Sequence, residues 1–365
     1  MLHKVLGAFA TLLSTAPPLS ARAALLDRAC ESPDQAGETE ADVGLRLAEA
    51  FRSQLVSFGS SELPLAREHV LGPAELTGTT GLSAAAFVPQ PAQDEAKLGA
   101  AGSVIAAQLA LVAIGLSKEV PLKVLRDLEW WQLPSIILGA TAGSTLLLIL
   151  ADRLAGSGRL LRAASLVLSP ERREVVLRHE AGHFLVAHLL GCPVQACRIS
   201  PWEYLLSLGT GAPAGTVFFS SALCGAAAED AEERAIDVAS VVLMAGIAAE
   251  AASLGKASLG GASDEAALRA LLERHGQKHG QQHAVAGGGG LVGESHAWSR
   301  EEAAARATAR WAVANAVLLI AGHRAAYEAL CAALRRGASV GECLVELDDS
   351  IRCSPSASPV SRVLS

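Results

Sequence analysis

"LSPERREVVLRHEAGHFLVAHLLGCPV", residues 168–194, is the stretch that decides how this chain is read. Ser169 suits an N-cap, Pro170 suits the first helical position, and Gly191 followed by Pro193 stops the run, so the spacing predicts one helix. At about 100° per residue His179 and His183 fall on one face a turn apart, with Glu180 beside them. Two imidazoles so placed can meet a single ion, and the adjoining carboxylate can serve as a base. Zinc takes neutral imidazole nitrogens, and in catalytic sites it keeps a position for water and raises that water's acidity. Phe184, Leu185, Val186, Leu189 and Leu190 surround the motif, so its polar groups carry a desolvation cost that a metal ion would relieve. His188 lies on the opposite face and reads as a structural histidine with partners of its own.

Two histidines make an incomplete catalytic site, so a third ligand must come from elsewhere. "VVLMAGIAAEAASLGKASLGGASDEAALRALLERH", residues 241–275, reads as a helix ending near Gly255, a small-residue loop, and a second helix capped by Ser263 with Asp264 in its first turn. A carboxylate there can point from the helix end toward an ion; the competing reading of Asp264 is a plain first-turn acid that favours the helix dipole. "RHGQKHGQQHAVAGGGG", residues 274–290, spaces His275, His279 and His283 four apart, but Gly276 and Gly280 weaken a helix that would align them, and it reads as a solvated loop. Seven scattered cysteines with no C-x-x-C pair indicate neither a disulfide framework nor a cysteine zinc module, and Cys192 and Cys197 read as small apolar residues.

The remainder of the chain supplies the setting. A net charge of -7 offers no basic surface to neutralise phosphates, which sets nucleic-acid binding aside. Hydrophobic residues at 51% against 18% charged and only 4% aromatic suggest helices, some of them in lipid. Residues 98–117 and 133–151 are two uncharged runs of bilayer length, the second preceded by Trp130 and Trp131. The link between them is too short for a domain, so residues 98–151 read as a transmembrane hairpin with both flanking parts on one side of the bilayer. The apolar runs 238–249 and 312–321 read as too short to cross.

Residues 1–25, with Lys4, Arg22, several Ser and Thr and no acid before Asp27, read as a transit peptide, although the "ARA" at 21–23 also fits the cleavage site of a secretory signal. Residues 26–97 read as a polar region with one helix, in "EADVGLRLAEAFRSQLVSF". Residues 152–345 hold the metal motif and close with one long helix, "SREEAAARATARWAVANAVLLIAGHRAAYEALCAALRRG", capped by Ser299 and carrying a structural His323. Residues 346–365 read as a disordered tail.

The ordered blocks H-E-A-G-H at 179–183 with "GCPV" after it, "AGIAAEA" at 245–251 and "GGASD" at 260–264 resemble the peptidase domain of FtsH-type membrane metallopeptidases. The resemblance covers roughly residues 165–335. It implies a mainly α fold with a small β element, Zn2+ held by His179, His183 and Asp264, Glu180 as catalytic base, and Glu250 next to the site. Because the loop reads Gly-Gly-Ala-Ser-Asp, the third ligand's register can shift by one to Glu265. FtsH proteins carry an ATPase domain, whereas this chain has no G-x-x-x-x-G-K-[ST] and so nothing to cradle phosphates. It looks closest to plant and algal FtsH-like proteins that keep the membrane hairpin and peptidase without the ATPase. That likeness implies a chloroplast membrane with the soluble parts in the stroma, and polypeptide substrates. It also implies a homo-oligomer or an ATPase-bearing FtsH-type partner. The alternative is a catalytically silent scaffold or regulator of such proteases, against which an intact Glu180 speaks.

Overall fold

The structure is a computed structural model and describes residues 21–31, 40–67, 71–89, 143, 169–200, 215–218, 229–257, 261–284 and 294–353. These residues are mainly helical. In chain order they form α1 (Ala21–Glu31), α2 (Glu40–Gln54), α3 (Pro73–Thr80), a 3-10 turn (Ala84–Phe87), α4 (Pro170–Leu190), β1 (Val194–Arg198), β2 (Gly215–Phe218), α5 (Glu229–Leu254), α6 (Gly261–Ala284), α7 (Glu294–Gly322), α8 (Arg324–Arg335) and α9 (Val340–Cys353). The small β element is a two-stranded antiparallel ribbon in which Cys197 faces Thr216 and Arg198 faces Gly215.

The motif helix forms as its local chemistry dictates. Ser169 Oγ accepts the Arg172 N–H at 3.2 Å, Pro170 opens α4, and Gly191 closes it in the left-handed region at φ 80°. Helix α5 packs along α4 on one side and α7 on the other. The first contact is close enough that a Cβ at Gly182 would lie 2.5 Å from Ala249 Cβ and 2.6 Å from the Ala245 carbonyl. A glycine inside a helix costs about 1 kcal/mol relative to alanine, and here it is what lets the two backbones approach. Among the described residues one segment, Glu233–Leu254, is long and apolar enough to cross a bilayer. It contains the run read as too short to cross, extended at both ends by helical continuation, and Val241, Val242, Ala245, Ala248 and Ala249 are all 0% exposed at the centre of the core. The hairpin expected at 98–151 lies outside the described residues, apart from Gly143.

Several expectations are corrected. Residues 26–97 are not a polar region with one helix; within them α1, α2, α3, the 3-10 turn and the loop after α2 bury Leu26, Leu47, Phe51, Phe58, Leu76 and Phe87 in the same core as the motif helix. The loops between them are stitched on by hydrogen bonds. Trp311 Nε1 donates to Ala66 O at 2.9 Å, Asn315 Oδ1 accepts the Leu65 N–H at 2.8 Å, and the Gly59 and Ser61 N–H groups donate to the His188 and Leu189 carbonyls at the end of α4 at 2.9 and 3.1 Å. The domain therefore begins well before residue 152. It also begins before residue 26, because α1 starts at Ala21 inside the expected leader, with Ala23 buried. At the other end α9 runs to Cys353 and buries Leu347 and Asp348, so the tail does not start at 346.

The remaining corrections concern helix limits. α6 starts at Gly261, so Ser263 is inside the first turn and not the cap, and it continues through Gly276 and Gly280 to Ala284 where a loop was expected. A helix already nucleated tolerates glycines at about 1 kcal/mol each. The last long helix starts at Glu294, so Ser299 is not its cap, and it breaks at His323, where α7 and α8 meet at 87°. There His323 Nδ1 hydrogen-bonds the Leu319 carbonyl at 3.0 Å, and the turn brings Tyr327 Oη to donate to Arg178 O at 2.9 Å.

Candidate metal centre

His179 and His183 project from α4 toward α5 and the start of α6, and both are buried. Each ring nitrogen on the outer side has an acceptor as its partner. His179 Nδ1 lies 2.7 Å from Glu250 Oε1 and His183 Nδ1 lies 2.8 Å from the Val242 carbonyl, both on α5. A carboxylate and a carbonyl accept hydrogen bonds, so each neutral imidazole carries its hydrogen on Nδ1 and turns a bare Nε2 lone pair inward.

The inward atoms converge. The two Nε2 atoms are 3.1 Å apart, and Asp264 Oδ2, from the first turn of α6, lies 3.1 Å from His179 Nε2 and 3.4 Å from His183 Nε2. Asp264 Oδ2 is buried and has no hydrogen-bond donor. Three acceptors facing one another in a buried space repel unless a cation sits between them. His179, His183 and Asp264 form a group that could hold a metal ion, the one such group among the described residues.

The electrostatics agree. Burial works against a charge on His179, but the Asp264 and Glu250 carboxylates beside it, with Glu180 close by, outweigh burial and raise its pKa well above the ordinary histidine value, so they favour a positive charge at Nε2, which a proton or a metal ion in its place would supply. Burial likewise pushes Asp264 up, and the two imidazoles reverse this and hold it far below the usual carboxylate range. Three acidic side chains surrounding two imidazoles in an enclosed site call for positive charge.

Space for these rings depends on Gly246, where a Cβ would lie 2.5 Å from His179 Nε2 and 2.6 Å from His183 Nε2. Glu180 turns toward β2. Its Oε2 accepts the Thr216 backbone N–H at 2.7 Å and the Thr216 hydroxyl at 2.8 Å. Gly215, at φ 90°, lies under the carboxylate, where a Cβ would meet Oε1 at 2.8 Å. Phe218 of the same strand stands edge-on to His183 at 6.3 Å. The ribbon thus fixes the direction of the glutamate and walls the site.

All five residues singled out in the sequence as site members are gathered here: His179, Glu180, His183, Glu250 and Asp264. Glu265 is not among them; it is exposed at the edge of a separate groove of about 530 Å³ that it lines with Leu76, Phe87, Met244 and Leu268, and partial desolvation there raises its pKa. Of the two acids, only Asp264 meets the two imidazoles. Sequence reasoning missed Thr216, Gly246, Gly182 and the Val242 carbonyl. Gly182, inside an apolar helix, carried a usable signal of close backbone approach; Thr216 carried none. His188, as expected, sits on the far face with a partner of its own, Ser57 Oγ at 2.8 Å. No family model, no curated protein and no solved structure matches the chain.

Proposed function

We propose that this chain is a membrane-anchored zinc metalloendopeptidase that hydrolyses flexible or unfolded polypeptides beside a membrane. The observation that carries the reading is the convergence of His179 Nε2, His183 Nε2 and Asp264 Oδ2, with the Glu180 carboxylate close enough to act on His179. The donor set fits zinc. Tetrahedral zinc with bonds of about 2.0–2.1 Å sets its ligand atoms about 3.3 Å apart. The separations here are 3.1, 3.1 and 3.4 Å. Three protein ligands leave the fourth position open, which is the catalytic rather than the structural pattern.

Bound there, zinc supplies a Lewis acid that polarises a peptide carbonyl and makes a water molecule acidic. The protein's residues do the rest. Glu180 takes the proton from the attacking water and passes it to the leaving amine, and Thr216 holds the carboxylate in place between those two transfers. Glu250 and the Val242 carbonyl fix both imidazoles in the tautomer a metal requires.

Membrane anchoring rests on the two uncharged runs within 98–151. The segments before and after that stretch share one hydrophobic core, so a membrane insertion between them must cross an even number of times, which favours a hairpin. The composition of the first residues supports a plastid address, with the metal domain on the stromal side. With no phosphate-cradling loop in the sequence, unfolding of substrates falls to an ATPase-bearing partner.

The experiment is cleavage of an unfolded casein-type substrate by the full chain in detergent. The wild type is expected to cleave and to lose cleavage to a chelator, and Glu180→Gln to keep its zinc while cleavage falls by about 10²–10⁴-fold. Zinc-loaded wild type that cleaves nothing would sink the peptidase reading and leave a metal-bearing scaffold.

A further inference from the structure

The far face of the motif helix ties the first described helix of the chain to the last. His188 is 0% exposed, and its Nε2 lies 2.8 Å from Ser57 Oγ. The Ser57 hydroxyl donates its one hydrogen to Asp348 Oδ1 at 2.7 Å, so the imidazole must donate Nε2–H to Ser57. Its Nδ1 is then a bare lone pair, in keeping with its lack of a partner. Asp348 Oδ1 also accepts the Ser57 backbone N–H at 2.7 Å. Every hydrogen bond in the chain from His188 through Ser57 thus ends on one wholly buried carboxylate. The cation on its other oxygen is Arg22 of α1, whose Nε also donates to the Gln54 carbonyl at 2.8 Å.

Arg22 is one of several contacts through which α1 grips α9. Ala23 and Leu26 are buried at 1% exposure. Asp27 caps α9 from outside, its Oδ1 accepting Gly341 N and its Oδ2 accepting Ser339 Oγ, both at 2.7 Å. The helices are so close that a Cβ at Gly341 would run into the Ala23 carbonyl and lie 2.9 Å from Asp27 Oδ1. A leader that is cut away has no reason to pack in this manner, and a buried carboxylate that loses its cation is a severe defect.

We propose that Arg22 belongs to the mature protein as the counter-ion of the buried Asp348 carboxylate, so that any leader removed from this chain is cut before residue 22. The "ARA" sequence at 21–23 is then the first turn of a structural helix and not a processing signal, and a mature chain starting at residue 26 does not arise. Nothing in this depends on the peptidase reading, and its tests use no cleavage of substrate.

The direct test is mass spectrometry of the N-terminal peptide of the endogenous protein. A terminus at or before residue 22 is expected, and a mature terminus beyond residue 22 overturns the proposal. The physical basis is tested by thermal unfolding of the full chain in detergent. Arg22→Gln should lower the ratio of folded to unfolded protein by roughly a hundredfold or more, and adding Asp348→Asn, which removes the stranded charge, should recover much of the loss. If Arg22→Gln melts like the wild type, or if the double variant is no more stable than Arg22→Gln alone, Arg22 is not the counter-ion the fold needs and the proposal fails.

Discussion

Helix α4 buries three histidines, two on one face and one on the other, and the two faces satisfy them in opposite ways. On the metal face the imidazole hydrogens point outward, to Glu250 and Val242, and three acceptors are left facing one another. On the far face the hydrogens run inward from His188 through Ser57 to Asp348, and the chain supplies its own cation, Arg22. The far face supplies its own counter-charge and leaves only His188 Nδ1 without a partner; the metal face gathers negative charge that calls for a cation. Burial of a histidine is common to both and distinguishes nothing. What distinguishes them is which ring nitrogen holds the hydrogen and what the other one faces.

The contrast can be broken most severely at the metal face. Gly246→Ala places a methyl against both Nε2 atoms, and Asp264→Ala removes the third acceptor. Each should reduce zinc measured by mass spectrometry from one equivalent per chain to near zero, while the same changes leave the far-face network and the helical circular dichroism intact. Retention of a full equivalent by both variants would mean the converging atoms are not the ligands.

A second, smaller effect belongs to the far face alone. Burial lowers the His188 pKa from its ordinary value of 6.5 to about 4. Above pH 6.5 the ring is neutral in both the folded and unfolded chain, and its contribution is fully present. As the pH falls from 6.5 toward 4 the unfolded chain takes up a proton that the folded chain refuses, so stability drops; below about 4 both are protonated and the loss levels off. The total is about 3 kcal/mol. Denaturant unfolding of wild type against His188→Gln over this range should show the extra slope only in the wild type, and parallel curves would contradict the buried neutral ring.

The mildest change sharpens the comparison rather than breaking it. Glu250→Gln keeps the shape of the His179 partner and removes its charge, and it should weaken zinc binding about 10–100-fold with the site still assembled. Competition with a fluorescent chelator measures this. An unchanged affinity would show that Glu250 does no more than fill space.

How much of this the sequence disclosed follows from the range of the interactions. The limits of α4 were readable because Ser169, Pro170 and Gly191 act on their own helix ends within a few residues. The pairing of His179 with His183 was readable for the same reason, since one helical turn sets it. Asp264 was legible only as a first-turn acid able to face an ion or merely to favour the helix dipole; likeness to a family favoured the first reading but left Glu265 open until the turn of α6 separated them. The part played by residues 21–89 was not legible. Arg22 meets Asp348 across 326 positions and Ser57 meets the same carboxylate across 291, and no local pattern in a polar, proline-dotted stretch announces partners so distant. The helix through Gly276 and the break at His323 both run against local propensity, because packing context and not composition fixes these helix ends.

The central claim is that two imidazole nitrogens and one carboxylate oxygen meet a single zinc ion. X-ray absorption at the zinc edge of the purified full chain tests it most directly. The account predicts one zinc per chain with a first shell of two nitrogens from imidazole and light oxygen scatterers, no sulfur, and loss of this spectrum in Asp264→Ala. A sulfur-containing shell, or a spectrum that Asp264→Ala leaves unchanged, would contradict it.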